Sequence, residues 1–172
     1  MKPLAQGYKA VTPDLLEEGI SNALYNLRFP VTIINLLLQG KLKDTGIALG
    51  RFALNSTFGI GGLIDVATIE GVPNYNEDFG QTFATWGWEN SNYLMLPLFG
   101  PSTLRDGIGI VPEIWTDGVS IIVNQTDHYW LLGLSFVERR AAFLSREDAL
   151  KDADDEYAFI RDAYLQRRDY LI

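Results

Sequence analysis

The chain has 172 residues, 14 Lys+Arg against 22 Asp+Glu for a formal charge of −8, one His and no Cys. A single domain, spanning residues 1–172, fits that length, while disulfides, thiol catalysis and a His-built metal site are excluded. An acidic chain also lacks the clustered cations that a phosphate backbone demands, so no nucleic acid is expected as a partner.

Residues 1–12 are expected to be an irregular lead-in. Thr12-Pro13-Asp14 reads as a helix start, with Thr12 as N-cap and Pro13 at the first helical position, and Leu16, Ile20, Ala23, Leu24 and Leu27 continue it as one apolar stripe. Pro30 should begin a second element over residues 31–39, which Gly40 closes; the β-branched run Val31-Thr32-Ile33-Ile34 leaves helix and strand both open. A third helix, about residues 45–58, is apolar nearly all round and is expected to be buried on most sides. Gly59-Ile60-Gly61-Gly62 lacks the spacing of a nucleotide loop and reads as a corner between helices, where glycine supplies backbone freedom.

A short helix near residues 63–69 follows, and Phe79, Phe83 and Trp86, at steps of four and three, mark an amphipathic helix. The apolar run from Tyr93 to Phe99 ends on a turn at Gly100-Pro101. Toward the C-terminus Trp130, Leu134, Val137, Ala141 and Leu144 form one helical stripe, and Ser145 with Asp148 has capping-box spacing. A final helix puts Tyr157, Ile160, Tyr164 and Leu171 on one side, with Arg161, Asp162, Arg167, Arg168 and Asp169 largely on others. Helices joined by short Gly/Pro turns dominate, so the fold class is all-α.

Charge is unevenly spread. Residues 45–112 hold eight charged side chains, whereas residues 138–172 hold sixteen. A charge-poor middle is either a buried core or a surface that meets something apolar. The longest charge-free stretch, residues 90–104, is interrupted by Pro97, Gly100 and Pro101 and is too short to span a bilayer as a helix, which takes about 18–20 apolar residues. No catalytic elbow or nucleotide motif is present; a hydrolase would have to rest on His128 with Ser120 or Ser135. No enzyme activity, metal or cofactor is expected.

The run from Arg51 through Asn55-Ser56-Thr57-Phe58-Gly59-Ile60-Gly61-Gly62 to Asp65-Val66-Ala67 resembles the VacJ-type, or MlaA, outer-membrane lipoproteins. Further matching pieces keep their order: Gly19-Ile20-Ser21-Asn22, Leu38-Gln39-Gly40, Glu77-Asp78-Phe79-Gly80-Gln81-Thr82, Leu96-Pro97-Leu98-Phe99-Gly100-Pro101 through Arg105-Asp106, and Tyr164-Leu165-Gln166-Arg167-Arg168-Asp169.

The resemblance implies a single ring-like helical domain with a central amphipathic channel, lying in the periplasmic leaflet of a Gram-negative outer membrane. It implies removal of mislocalised phospholipid from the outer leaflet without enzymatic chemistry, delivery to a periplasmic phospholipid carrier, and association with a trimeric porin. A porin-binding scaffold that passes no lipid is the alternative. It further implies a signal peptide and a lipidated Cys; the chain has no Cys, so either its given start is trimmed or it is an unusual member. The polar lumen candidates are Arg51, Asn55, Asp65, Arg105 and Asp106, for which a buried network fixing helix corners is the competing role. Phe79, Phe83, Trp86, Trp88, Tyr93, Leu94 and Leu96 are the membrane-facing candidates, and the charge-rich segment 138–172 is expected to face the periplasm.

Overall fold

The computed structural model describes residues 2–97, 99–117, 125–144 and 155–172. Its elements in chain order are α1 (Lys2–Val11), α2 (Asp14–Leu38), α3 (Leu42–Thr57), α4 (Val66–Ile69), α5 (Phe79–Thr85), the strands β1 (Tyr93–Leu96) and β2 (Gly100–Thr103), then α6 (Leu104–Thr116), α7 (Gln125–Leu144) and α8 (Glu156–Leu171). The chain is predominantly helical, and the apolar run after Tyr93 is a small antiparallel hairpin that pairs Tyr93 with Thr103 and Leu96 with Gly100.

Three expectations change at the N-terminal end. The supposed irregular lead-in is helix α1, which lies along α7 with Ala5 and Ala141 fully buried. Thr12 does not cap α2; Pro13 takes the N-cap position with extended backbone, and its carbonyl accepts from the amides of Leu16 and Glu17. Pro30 does not start a new element but sits inside the 25-residue α2. Proline there removes one backbone hydrogen bond and β-branched residues weaken helix propensity, yet burial of Phe29, Ile33 and Leu36 along one face, with Val31 buried on the other, outweighs both.

The central core is Phe29, Ile33 and Leu36 of α2 against Ala48 of α3, flanked by Tyr25, Phe52 and Tyr75. Polar side chains extend this contact: Asn35, fully buried, donates to the Val31 carbonyl and accepts from the Thr82 hydroxyl, tying α2 to α5. The corner after α3 uses Gly62 at φ +97°, where a Cβ would lie 2.5 Å from the Asn26 side chain. Gly80 and Gly109 let α5 and α6 approach closely: a Cβ on Gly109 would lie 2.9 Å from the Gly80 amide nitrogen.

Helix α3 is not buried on most sides. Its buried residues are Thr45, Ala48, Arg51 and Asn55, while Leu42 and Leu49 are exposed. Helix α6 repeats the inversion: Arg105 and Gly109 are buried, and Leu104, Ile108, Val111 and Trp115, at steps of four, three and four, form an exposed stripe. Each helix buries an arginine and leaves large apolar side chains exposed, a departure from the pattern of a water-soluble helix. Among the described residues no helix is long and apolar enough to cross a membrane.

Candidate functional site

A cavity of about 370 Å³ lies between α2, α6, α7, α8 and the hairpin. Its apolar wall is built from Leu24 and Val31 of α2, Ile110 and Ile114 of α6, Leu132 and Phe136 of α7, and Phe99 and Pro101 beside and on the hairpin. Its polar lining includes Asp78, Asp106, Tyr164 and Arg168, together with Arg28 and Glu113. A second cavity, about 210 Å³, shares Arg28, Val31, Asp78 and Glu113 with the first and adds Tyr25, Thr32, Asn76 and Glu77. The apolar chamber therefore adjoins a polar one.

The charged floor is assembled by helix ends. Asp78 is the N-cap of α5 and accepts from the Gln81 amide at 2.8 Å, which orients its carboxylate. Arg168, the buried residue of α8, reaches it with both terminal nitrogens and also donates to Asp106 at 2.7 Å. Asp106 further accepts from the Tyr164 hydroxyl at 2.7 Å and from Arg105 Nε at 3.2 Å. Burial pushes the Asp78 carboxyl up, but the hydrogen bonds and charge of Arg168 with the Gln81 contacts outweigh it and hold its pKa below the usual carboxylate range. Burial pushes the Tyr164 phenol up, and donation to Asp106 raises it further. For Arg168 burial acts downward, yet Asp78 and Asp106 push the net shift upward, so it stays cationic.

The polar candidates fall into two groups. Arg51, fully buried, donates to Asp65, to the Thr68 hydroxyl and to the Val72 carbonyl. Asn55 donates to Asp65 at 2.9 Å and accepts from the Ala67 amide, so the three residues join α3 to the N-terminus of α4. Burial raises the Asp65 pKa, but hydrogen bonds from Thr68 and Asn55 with the Arg51 charge bring the net shift below the ordinary value. Neither cavity is lined by Arg51, Asn55 or Asp65. Arg105 and Asp106 form the other group: Asp106 lines the larger cavity, while Arg105 lies behind it and donates to the Trp88 and Glu89 carbonyls.

Among the membrane-facing candidates, Trp86, Trp88 and Leu94 are exposed, and Phe83, Tyr93 and Leu96 are half-buried. Phe79 is not on the rim: it is 6% exposed, beneath Phe83 and against Gly109. Sequence reading missed the outward stripe of α6 and the apolar corner of Phe58, Ile60 and Ile69. It also missed Arg28, Glu113, Tyr164 and Arg168 as lining residues. In the sequence Arg168 falls on the solvated side of its helix, because neighbouring charges hide its long-range partners. The stripe of α7 is partly inverted, with Trp130 exposed and Ala141 buried. The side chains of His128 and Leu144, and all of Ser120, Ser145 and Asp148, lie outside the described residues.

The sequence model of the family described as "MlaA lipoprotein" matches residues 1–171. The chain is 30% identical over 177 residues to the intermembrane phospholipid transport system lipoprotein MlaA of Escherichia coli, covering 99% of this chain and 69% of that protein. It is 28% identical over 182 residues to the protein of the same description from Haemophilus influenzae, covering all of this chain and 70% of the relative. A solved structure, from work described as the structural basis for maintenance of bacterial outer membrane lipid asymmetry, superposes with a TM-score of 0.83 at 31% identity, over 99% of this chain and 86% of that one.

Proposed function

The chain belongs to the MlaA lipoprotein family, and from that premise we propose how its own residues carry phospholipid. The protein is an outer-membrane lipoprotein facing the periplasm, and its function is retrograde phospholipid transport without enzymatic turnover. The cavity between α2, α6 and α7 is the path.

The adjoining apolar and charged walls of that cavity carry this reading. At ~0.8 kcal/mol per CH₂, exposing two acyl chains of about sixteen carbons to water costs on the order of 20 kcal/mol, so a conduit must cover the tails. The phosphate needs polar groups at the same time. Val31, Ile110, Ile114 and Phe136 meet the first demand, and Arg28, the cation that both cavities share, meets the second. The volume is at the low end of ligand pockets, ~300–1,000 Å³, and accommodates a headgroup and the adjoining acyl segments rather than a whole lipid.

The outward stripes of α3 and α6, the corner at Phe58–Ile60 and the exposed rings of Trp86 and Trp88 form the surface that sits among acyl chains and headgroups. A trimeric porin packs on this rim, and the charge-rich C-terminal region receives the periplasmic carrier. The Arg51–Asn55–Asp65 network holds the membrane-side corner in shape.

Replacing Ile110 by Trp fills the apolar chamber. Transfer of outer-leaflet phospholipid to the carrier should then stop while helix content is unchanged. Normal transfer by Ile110→Trp would leave a porin-binding scaffold as the better description.

A further inference from the structure

The corner between α3 and α4 is held in one conformation by its own backbone. Gly59 donates to the Leu54 carbonyl, Gly61 to that of Ser56, and Gly62 and Ile64 both donate to that of Gly59. Its glycines have steric reasons: a Cβ on Gly59 would lie 2.2 Å from the Ile64 carbonyl oxygen, and Gly61 and Gly62 stand at φ +70° and +97°. Ile60 breaks that pattern. It stands at φ +54°, and among the described residues it is the one non-glycine at positive φ. Branching at Cβ makes that conformation costly, so the turn imposes it, and glycine would meet the same turn with less strain.

What the isoleucine contributes is not internal. Its side chain is 67% exposed and lies outside the core cluster of α2 and α3. Phe58, Leu63 and Ile64 are exposed beside it in the chain, and no charged residue occurs from Phe52 to Ile64. The flanking charges, Arg51 and Asp65, are bonded to each other. Single exposed apolar residues are ordinary, but four on one turn, with a strained residue among them, mark a surface for an apolar partner.

We infer that Ile60 is an insertion anchor, held in a strained backbone so that a branched apolar side chain stands in the acyl layer of the periplasmic leaflet. The assignment rests on the placement of this corner among acyl chains and names the residue on which that placement turns. Burial of the side chain in hydrocarbon offsets the strain. The amides of Gly59, Gly61, Gly62 and Ile64 are already bonded within the corner, as a segment entering hydrocarbon requires.

The test uses the full chain purified in detergent and reads two quantities. One is the folded-to-unfolded ratio by chemical unfolding; the other is partition onto vesicles of phosphatidylethanolamine and phosphatidylglycerol by flotation. Ile60→Gly should raise the first about threefold by relieving the strain and lower the second about tenfold by removing the anchor. Ile60→Ala, which keeps the strained backbone, should lower partition with no gain in stability. Phe58→Ser, elsewhere on the turn, should lower partition as well. Ile60→Gly that partitions like the unmodified chain, or that loses stability, overturns the anchor; if Phe58→Ser still loses partition, the corner remains in lipid. Unchanged partition in both variants overturns the placement of the corner in lipid and the anchor with it, and loss of porin co-purification in those variants would assign the turn to protein.

Discussion

Arg168 and Asp78 are separated by 90 positions in sequence and joined by two hydrogen bonds, so the last described helix is fastened to the N-cap of α5. Their side chains are 9% and 29% exposed, and the same guanidinium holds Asp106 at the start of α6. One cation therefore joins three helices around the charged floor of the cavity.

Removing Arg168 leaves two carboxylates without their shared cation, and removing the Asp78 charge leaves the guanidinium half-compensated. Breaking one side of a buried pair costs about 3–5 kcal/mol. Arg168→Ala and Asp78→Asn should each lower stability by an amount in that range, read by chemical unfolding of the detergent-solubilised protein. Arg161→Ala should change stability little, since its partner Asp162 is its exposed neighbour in sequence.

Acid should loosen the same joint. The folded-state pKa values of Asp78 and Asp65 lie below their ordinary value of 3.8. Between the folded and unfolded pKa the unfolded chain binds more protons, so these carboxylates contribute stability above about pH 4 and lose it as pH falls through their folded values. The melting temperature should be flat on this account from pH 7 to about pH 5 and fall steeply below pH 4. In Asp78→Asn that acid-side fall should be shallower, from a lower starting point.

The close crossing of α5 and α6 leaves no room for a methyl group at Gly80. A Cβ there would lie 2.1 Å from Asp106 Oδ1 and 2.7 Å from Arg168 Nη2. Gly80→Ala should cost about 1–3 kcal/mol through overpacking and displacement of that ion pair. Gly46→Ala, where nothing lies within 4 Å of the added carbon, should leave stability unchanged or raise it by several tenths of a kcal/mol.

The outward stripe of α6 gives a separate test. Val111→Glu and Ile108→Glu place charge on the exposed face of α6, so unfolding in detergent should shift by less than about 0.5 kcal/mol. Charge among acyl chains costs about 2.5–3.5 kcal/mol on insertion scales, and these variants should lose vesicle association. Unchanged vesicle association would place this stripe elsewhere than in lipid.

Local signals were legible in the sequence where local physics decides. Phe79, Phe83 and Trp86 marked α5, and the glycines after α3 marked its corner. The Pro30 break failed because tertiary burial of α2 outweighs one lost hydrogen bond. The inside-out character of α3 was hidden because an apolar helix face looks the same whether it packs on protein or on lipid; burial of Thr45, Arg51 and Asn55 resolves it. The floor was least legible. Asp78, Asp106, Tyr164 and Arg168 come from distant stretches, and local spacing carries no trace of contacts 58 to 90 positions apart.

Passage of phospholipid through the cavity is tested most directly by a photo-crosslinking amino acid placed at Ile110, on the chamber wall, and separately at Tyr170, 88% exposed on α8. After irradiation of intact cells, mass spectrometry of the purified protein should find covalently attached phospholipid at position 110 and little at 170. Equal labelling at the two positions, or none at 110 in cells actively returning phospholipid, would contradict transport through this chamber.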